Sequence, residues 1–307
     1  MIAGVEVIDV DAAEPRRITP FATERIQEAI ASLPDGRVIV AGGIIGGTEL
    51  SDVRIYNASG SEVAGPSLSG ARRRAQMVVF DDGDVLIAGG FDSDADYRSA
   101  ERFTADAAST TFAGSWRSVH RDATLTRVGA GTAIAVGGLT YGNAVATETE
   151  VYAQATGRWD NGPDLTVPRI FHGAAALSDG RVLIVGGEDA AGGPLADVEI
   201  LDLASGTSTA MASLPVAITE LHVTVLPGDV VVVTGGRTAD GERAGASAAT
   251  FVYDVAGDVW GRGPDLNVER YGGRLVTLTD GRAVIVGGSV QYAQTTAAVE
   301  ILELASE

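Results

Sequence analysis

Three histidines, a series of evenly spaced arginines and one acidic loop have the most chemical reach in this 307-residue chain. His172 and His222 lie 50 residues apart, and His120 lies 52 residues before the first of them. Neutral imidazoles converging on one point bind a transition metal. No acid set accompanies these three, so packing is the favoured reading and metal the lesser one. Arg25, Arg73, His120, Arg169, Thr219 and Arg270 recur ahead of a Gly-Gly pair, in most cases by 17 residues. Acids follow at Glu6, Glu101, Glu150, Glu199 and Glu300. Structural Arg–Glu pairs are expected, because a buried guanidinium needs a carboxylate. The functional reading is an arginine-lined mouth for an anionic ligand, with Arg169, Arg270 and Glu28 as its candidates. Glu28 opens a second series, continued by Gln76, Ala123, His172, His222 and Gly273.

Asp92, Asp94 and Asp96 alternate along one loop as calcium ligands do, but the glycine at the sixth place and the glutamate at the twelfth are missing. A solvated acidic loop is the expectation, with no metal assigned. Tyr97, Tyr141, Tyr292 and Arg237 sit in segments following Gly-Gly pairs, where they suit glycan stacking or peptide anchoring. The chain has no cysteine, which excludes disulfides, thiolate zinc sites and cysteine nucleophiles. No nucleophile–base pair or phosphate-binding loop is visible, and no cofactor is implied. The formal net charge is −19, and all 22 basic residues are arginine. Such a field repels nucleic acid. No apolar run approaches the length needed to span a bilayer, and no signal peptide is visible.

What must position these residues is a repeat. Gly-Gly pairs fall at Gly42, Gly89, Gly137, Gly186, Gly235 and Gly287, spaced by 47, 48, 49, 49 and 52 residues. A period of this length marks a repeat architecture. Each unit reads as four short strands. In the fourth, residues 171–177 are small and apolar, and Ser178-Asp179-Gly180 makes a hairpin turn. Residues 181–185 form an apolar run suited to a strand buried on both faces, residues 196–203 alternate, and residues 207–211 form a weaker outer strand. Tryptophans recur in the outer strands as Trp116, Trp159 and Trp260. Four-stranded units of this size with little helix suggest propeller blades.

The Gly-Gly pair, the Asp-Gly turn, the Val-Glu-Ile-Leu-Asp strand and the downstream tryptophan resemble Kelch repeats. Residues 169–187 are similar almost throughout to the bacterial and galactose-oxidase-type form of the repeat. The resemblance implies an all-β, six-bladed Kelch-type β-propeller occupying residues 1–307 as one domain. Its blades are expected near 20–68, 69–116, 117–165, 166–214, 215–266 and 267–304, the last completed by 1–19. The third-strand motif appears seven times, beginning at residues 5–10, so the N-terminal segment is expected to supply the last blade's outer strand and splice the two ends. Galactose oxidase itself uses copper beside a tyrosine cross-linked to cysteine; a cysteine-free chain cannot form that cofactor.

The function implied is a non-catalytic binding module, a monomer that takes a protein or glycan on the loop face around the axial mouth. The alternatives are a mutarotase-like enzyme acting there on a small sugar or anion, and the structural propeller of a larger surface protein. An extracellular, periplasmic or cell-surface setting is expected, with any leader absent from this chain.

Overall fold

A computed structural model describes residues 5–7, 16–19, 25–57, 61–118, 120–238, 245–278, 282–291, 294–296 and 298–302. Among them there is no helix. The sequence explains this directly: the second-strand apolar runs are four or five residues long and lead into the Gly-Gly pairs, too short for a helical turn pattern to gain an apolar face.

Five four-stranded antiparallel sheets and one three-stranded sheet follow the repeat. In the fourth, Gly173–Ala176, Val182–Val185, Val198–Asp202 and Thr207–Met211 pair in chain order, with Ile184 opposite Glu199 and Glu199 opposite Ala210. The second strands are the most buried, Val182 to Val185 being wholly enclosed. The outer strands are the most exposed, which confirms the apolar-to-mixed gradient along each unit. The last sheet, Arg274–Thr277, Ala283–Val286 and Val299–Leu302, has three described strands. Val5–Val7 and Arg16–Thr19 pair with each other in a separate sheet, so the described pairings do not include the expected terminal splice.

The chain divides into two compact units, Met1–Asn143 with Glu150–Asn161, and Ala144–Thr149 with Gly162–Glu307. In the first, one core gathers Ile39, Ile55, Val85, Ile87 and Phe103, and another gathers Leu86, Ala135, Trp116, Tyr152 and Trp159. In the second, Leu183, Val185, Ile200, Ile218, Val233 and Phe251 form the larger core. The Gly-Gly pairs have positive φ throughout. At Gly187 (φ +104°) a Cβ would lie 2.7 Å from the Ile170 carbonyl oxygen and 2.8 Å from the His172 Cβ, so only glycine fits without displacement.

Candidate functional site

The recurring arginines are fastenings. Arg169 is fully buried. Its Nη2 lies 2.5 Å from Glu199, its Nη1 donates to the Gly186 and Asp197 carbonyls at 2.9 Å each, and its Nε donates to Val167. Glu199 also accepts from the Thr166 and Val167 amides and from Ser208 Oγ. Burial pushes the Glu199 carboxyl up, but those hydrogen bonds and the Arg169 charge outweigh it and hold it below the usual range. Arg270 repeats the arrangement with Glu300, Gly287, Ala298 and Val268. Neither guanidinium has a nitrogen left for a ligand, so the anion-binding role expected of Arg169 and Arg270 gives way to a structural one.

The other repeats vary this clasp. In the second, Arg72 rather than Arg73 takes the buried place and meets Glu101 at 3.0 Å. In the third, His120 substitutes for arginine, 3.1 Å from Glu150 and 2.8 Å from the Gly137 carbonyl. In the first, Arg54 stands where the glutamate would be, and Asp52 bridges Arg25 and Arg54 at 2.8 Å each. In the fifth, Ile218 and Phe251 occupy the two places, and an apolar contact replaces the ionic one.

His172 and His222 are buried. Burial, then the nearby Arg169, lowers His172 to about 3; burial, then Arg274 and Arg270, lowers His222 to about 4. His222 Nε2 accepts the Gly273 amide proton at 3.2 Å, a bond that uses the lone pair a metal would need. Among the described residues no group of three potential ligands is placed to hold a metal ion. In the acidic loop, Asp92 accepts from the Asp94 and Ala95 amides and from the Tyr97 hydroxyl, closing the turn on itself. Asp96 lies 3.7 Å from Arg121, and Asp94 is exposed. Tyr97 is packed against Gly70 and under the Arg72 guanidinium, 4.4 Å from its ring centroid, and so is not free to stack on a ligand. Glu28 is half-buried, with Oε2 enclosed and lacking a hydrogen-bond partner. Tyr141 is 89% exposed. Tyr292 lies outside the described residues.

A feature that sequence reasoning missed lies two residues beyond each fastening. Gln27, Arg74, Asp122, Phe171 and Glu220 all have φ between +52° and +59°, and Gly272 continues the series at +66°. Left-handed backbone costs a non-glycine residue about 1 kcal/mol or more, and its recurrence at one place points to a constraint on chain path. In the first unit the Arg74 amide donates to the Gln27 carbonyl and Arg74 Nη1 meets Asp122, 2.9 Å away. In the second, the Glu220 amide donates to the Phe171 carbonyl. The residue before each member pairs with the residue after a Gly-Gly pair: Arg73 with Phe91, Ile170 with Glu188, Thr219 with Arg237 and Tyr271 with Ser289. The unequal loops and this row therefore meet at one end of the sheets.

Two side-chain groups result. In the first unit, Arg73 and Arg121 lie over the Phe91 ring at 4.7 and 5.3 Å, with Glu49 3.8 Å from Arg73. In the second, Arg237 bonds Glu220 at 2.7 Å and lies 5.4 Å over the Tyr271 ring. Glu188, half-buried, follows the neighbouring Gly-Gly pair and bridges Ile170. Burial raises its carboxyl above the usual value, Arg237 opposes the shift, and Glu220 and Asp189 add to it. Ion pairs, aromatic faces and a poorly compensated carboxylate at loop ends can recognise a polar ligand. Arg237 was visible in the sequence. Glu188, Glu220 and Tyr271 were not, though each flanks a Gly-Gly pair or a fastening at a fixed offset.

Comparison with known proteins bears on the frame. Residues 170–215 match the Kelch motif. Galactose oxidase of Gibberella zeae is 32% identical over 143 residues, 43% of this chain and 19% of that protein. The Kelch-like protein terF of Aspergillus terreus is 27% identical over 150 residues, 46% of this chain and 32% of that one. The chain thus spans a fifth to a third of the length of these relatives. The solved structure of YjhT superposes with a TM-score of 0.74 at 11% identity, covering 92% of this chain and 98% of that one, which speaks to fold alone. With six Gly-Gly units in register, these findings support a resemblance to Kelch-repeat, galactose-oxidase-like proteins, with the Kelch motif itself matched over residues 170–215.

Proposed function

We propose that the chain is a non-catalytic binding module that takes a protein or glycan ligand on the face bearing the post-diglycine loops. The observation that carries this reading is the group of Arg237, Glu220 and Tyr271, half-buried charges and a ring gathered at loop ends rather than in the packed sheets. Kelch repeats generally mediate protein interactions, which supports the same reading. The scaffold we propose is a six-bladed ring in which the N-terminal strands complete the last sheet. Deleting residues 1–12 should then lower the melting temperature sharply, and an unchanged temperature would refute the splice.

The binding reading is tested by a glycan array and by affinity capture with the wild-type chain and Arg237→Ala. Loss of a captured ligand in the variant, with its melting temperature retained, supports the site. Capture that survives Arg237→Ala and Tyr271→Ala moves the site elsewhere.

A further inference from the structure

In the first unit two guanidiniums share one ring and hold donors that nothing uses. Arg73 and Arg121 lie 4.7 and 5.3 Å from the Phe91 ring centroid. Arg73 Nε stands 3.8 Å from Glu49 and Arg121 Nη1 stands 3.7 Å from Asp96, both too far for a hydrogen bond. Every other ion pair among the described residues lies at 3.5 Å or less. Arg73 makes no side-chain hydrogen bond among the described residues; its Nε is enclosed, but both terminal nitrogens are open to solvent. Arg121 gives Nη2 to Asn143 Oδ1 and keeps Nε and Nη1 unused and open. The side chains are 28% and 26% exposed. Their bases are fixed, because Arg73 exchanges two backbone hydrogen bonds with Phe91, and Arg121 does the same with Leu139. Stacking on a ring occupies a guanidinium's face and leaves free the edge that carries its N–H groups.

We propose that Arg73 and Arg121 bind a carboxylate of a ligand through these free N–H edges, with Phe91 as the platform that orients both. The assignment goes beyond the binding reading above and uses none of its residues. Arg169 and Arg237 show the contrast: the first spends its donors on Glu199 and backbone carbonyls, and the second meets Glu220 at 2.7 Å. A carboxylate is planar and accepts two parallel N–H bonds from a guanidinium, which a neutral hydroxyl does not. It also brings a single charge. A phosphate monoester brings nearly two, and would meet Glu49 and Asp96 within a chain of net charge −19.

A uronic acid and a glutamate side chain share this chemistry, and calorimetric titration with matched probes separates them. Glucuronate is compared with glucose, and Nα-acetyl-glutamate α-amide with Nα-acetyl-glutamine α-amide. At least one acid should bind ten-fold or more tightly than its neutral counterpart, and which pair responds identifies the source. Arg73→Gln and Arg121→Gln should each remove most of that preference while the melting temperature is kept. Glu49→Gln leaves both arginines in place and frees Arg73 of its counter-charge, so it should tighten the acid several-fold, a gain that a purely structural stack would not produce. That variant decides the matter if an arginine replacement fails to fold. Equal affinity for acid and neutral probes, no binding of either acid, an undiminished preference in a folded arginine variant, or no gain in Glu49→Gln overturns the proposal. Arg237→Ala should leave acid binding unchanged, and loss of acid binding there would place it in the second unit and overturn the assignment. If Arg237→Ala abolishes capture of a ligand and neither acid is preferred, the binding reading stands and the carboxylate assignment alone falls.

Discussion

Arg169 meets Glu199 at 2.5 Å in the fourth repeat, and in the fifth the same two places hold Ile218 and Phe251 within an apolar core. One scaffold position is thus solved by two opposite chemistries in neighbouring sheets. Removing one partner of a buried ion pair strands a charge, so Glu199→Ala should cost about 3–5 kcal/mol in chemical denaturation. The double variant Arg169→Ile with Glu199→Phe should recover more than half of that loss. A double variant as unstable as the sum of its parts would show that the two solutions are not interchangeable.

Two glycines of one repeat should differ in their tolerance of alanine. Gly180 has φ +86° and open space where a Cβ would go, so Gly180→Ala should lose about 1 kcal/mol from backbone strain alone. Gly187 adds backbone and side-chain atoms under 3 Å from a Cβ, and Gly187→Ala should lose about 3 kcal/mol or more. Urea midpoints measured side by side settle the ordering.

His222 should make the fold acid-sensitive. Its ordinary value of 6.5 is lowered to about 4 in the folded chain, because burial and the Arg274 and Arg270 charges disfavour the imidazolium. The unfolded chain therefore takes up a proton first as pH falls. Stability is fully present above about pH 6.5 and declines as pH drops through about 4, by roughly 3 kcal/mol at most from this group. His222→Gln should flatten that portion of a stability–pH curve, and a slope identical to wild type would assign the effect to other groups.

The tryptophans should not be equivalent. Trp159 Nε1 donates to the Ala113 carbonyl at 3.1 Å, whereas Trp116 Nε1 is buried without an acceptor. Both replacements by phenylalanine remove similar volume, but only Trp159→Phe breaks a hydrogen bond. It should be about 1 kcal/mol more damaging than Trp116→Phe. Equal midpoints would mean that ring packing alone sets both values.

Much of this scaffold was legible because glycine and the Asp-Gly turn fix where each strand must stop, and the apolar runs between them have one way to be buried. Register within a charged run was harder. Arg72, Arg73 and Arg74 stand together, and the sequence does not distinguish the arginine that is buried from the one over Phe91 or the one that reaches Asp122. Placing Arg73 in the fastening was an error of one residue, and in a strand one residue changes the face. Asp52 was likewise hidden, because it serves Arg25 from two residues before the glutamate's place. The left-handed row was invisible for a different reason. Gln27, Arg74, Asp122, Phe171 and Glu220 share a backbone state but no side-chain chemistry, so the path of the chain imposes what composition does not announce.

The fastenings have one further property: each carboxylate and the connection it grips are encoded 32 or 33 residues apart, Glu101 with Ser69, Glu150 with Arg117, Glu199 with Thr166 and Glu300 with Asn267. A single duplication event copies the bolt together with the part it bolts. A repeat copied whole would arrive already braced, leaving its loops free to change without altering the frame, and the frame holds whether a guanidinium, an imidazole or an isoleucine stands at that place.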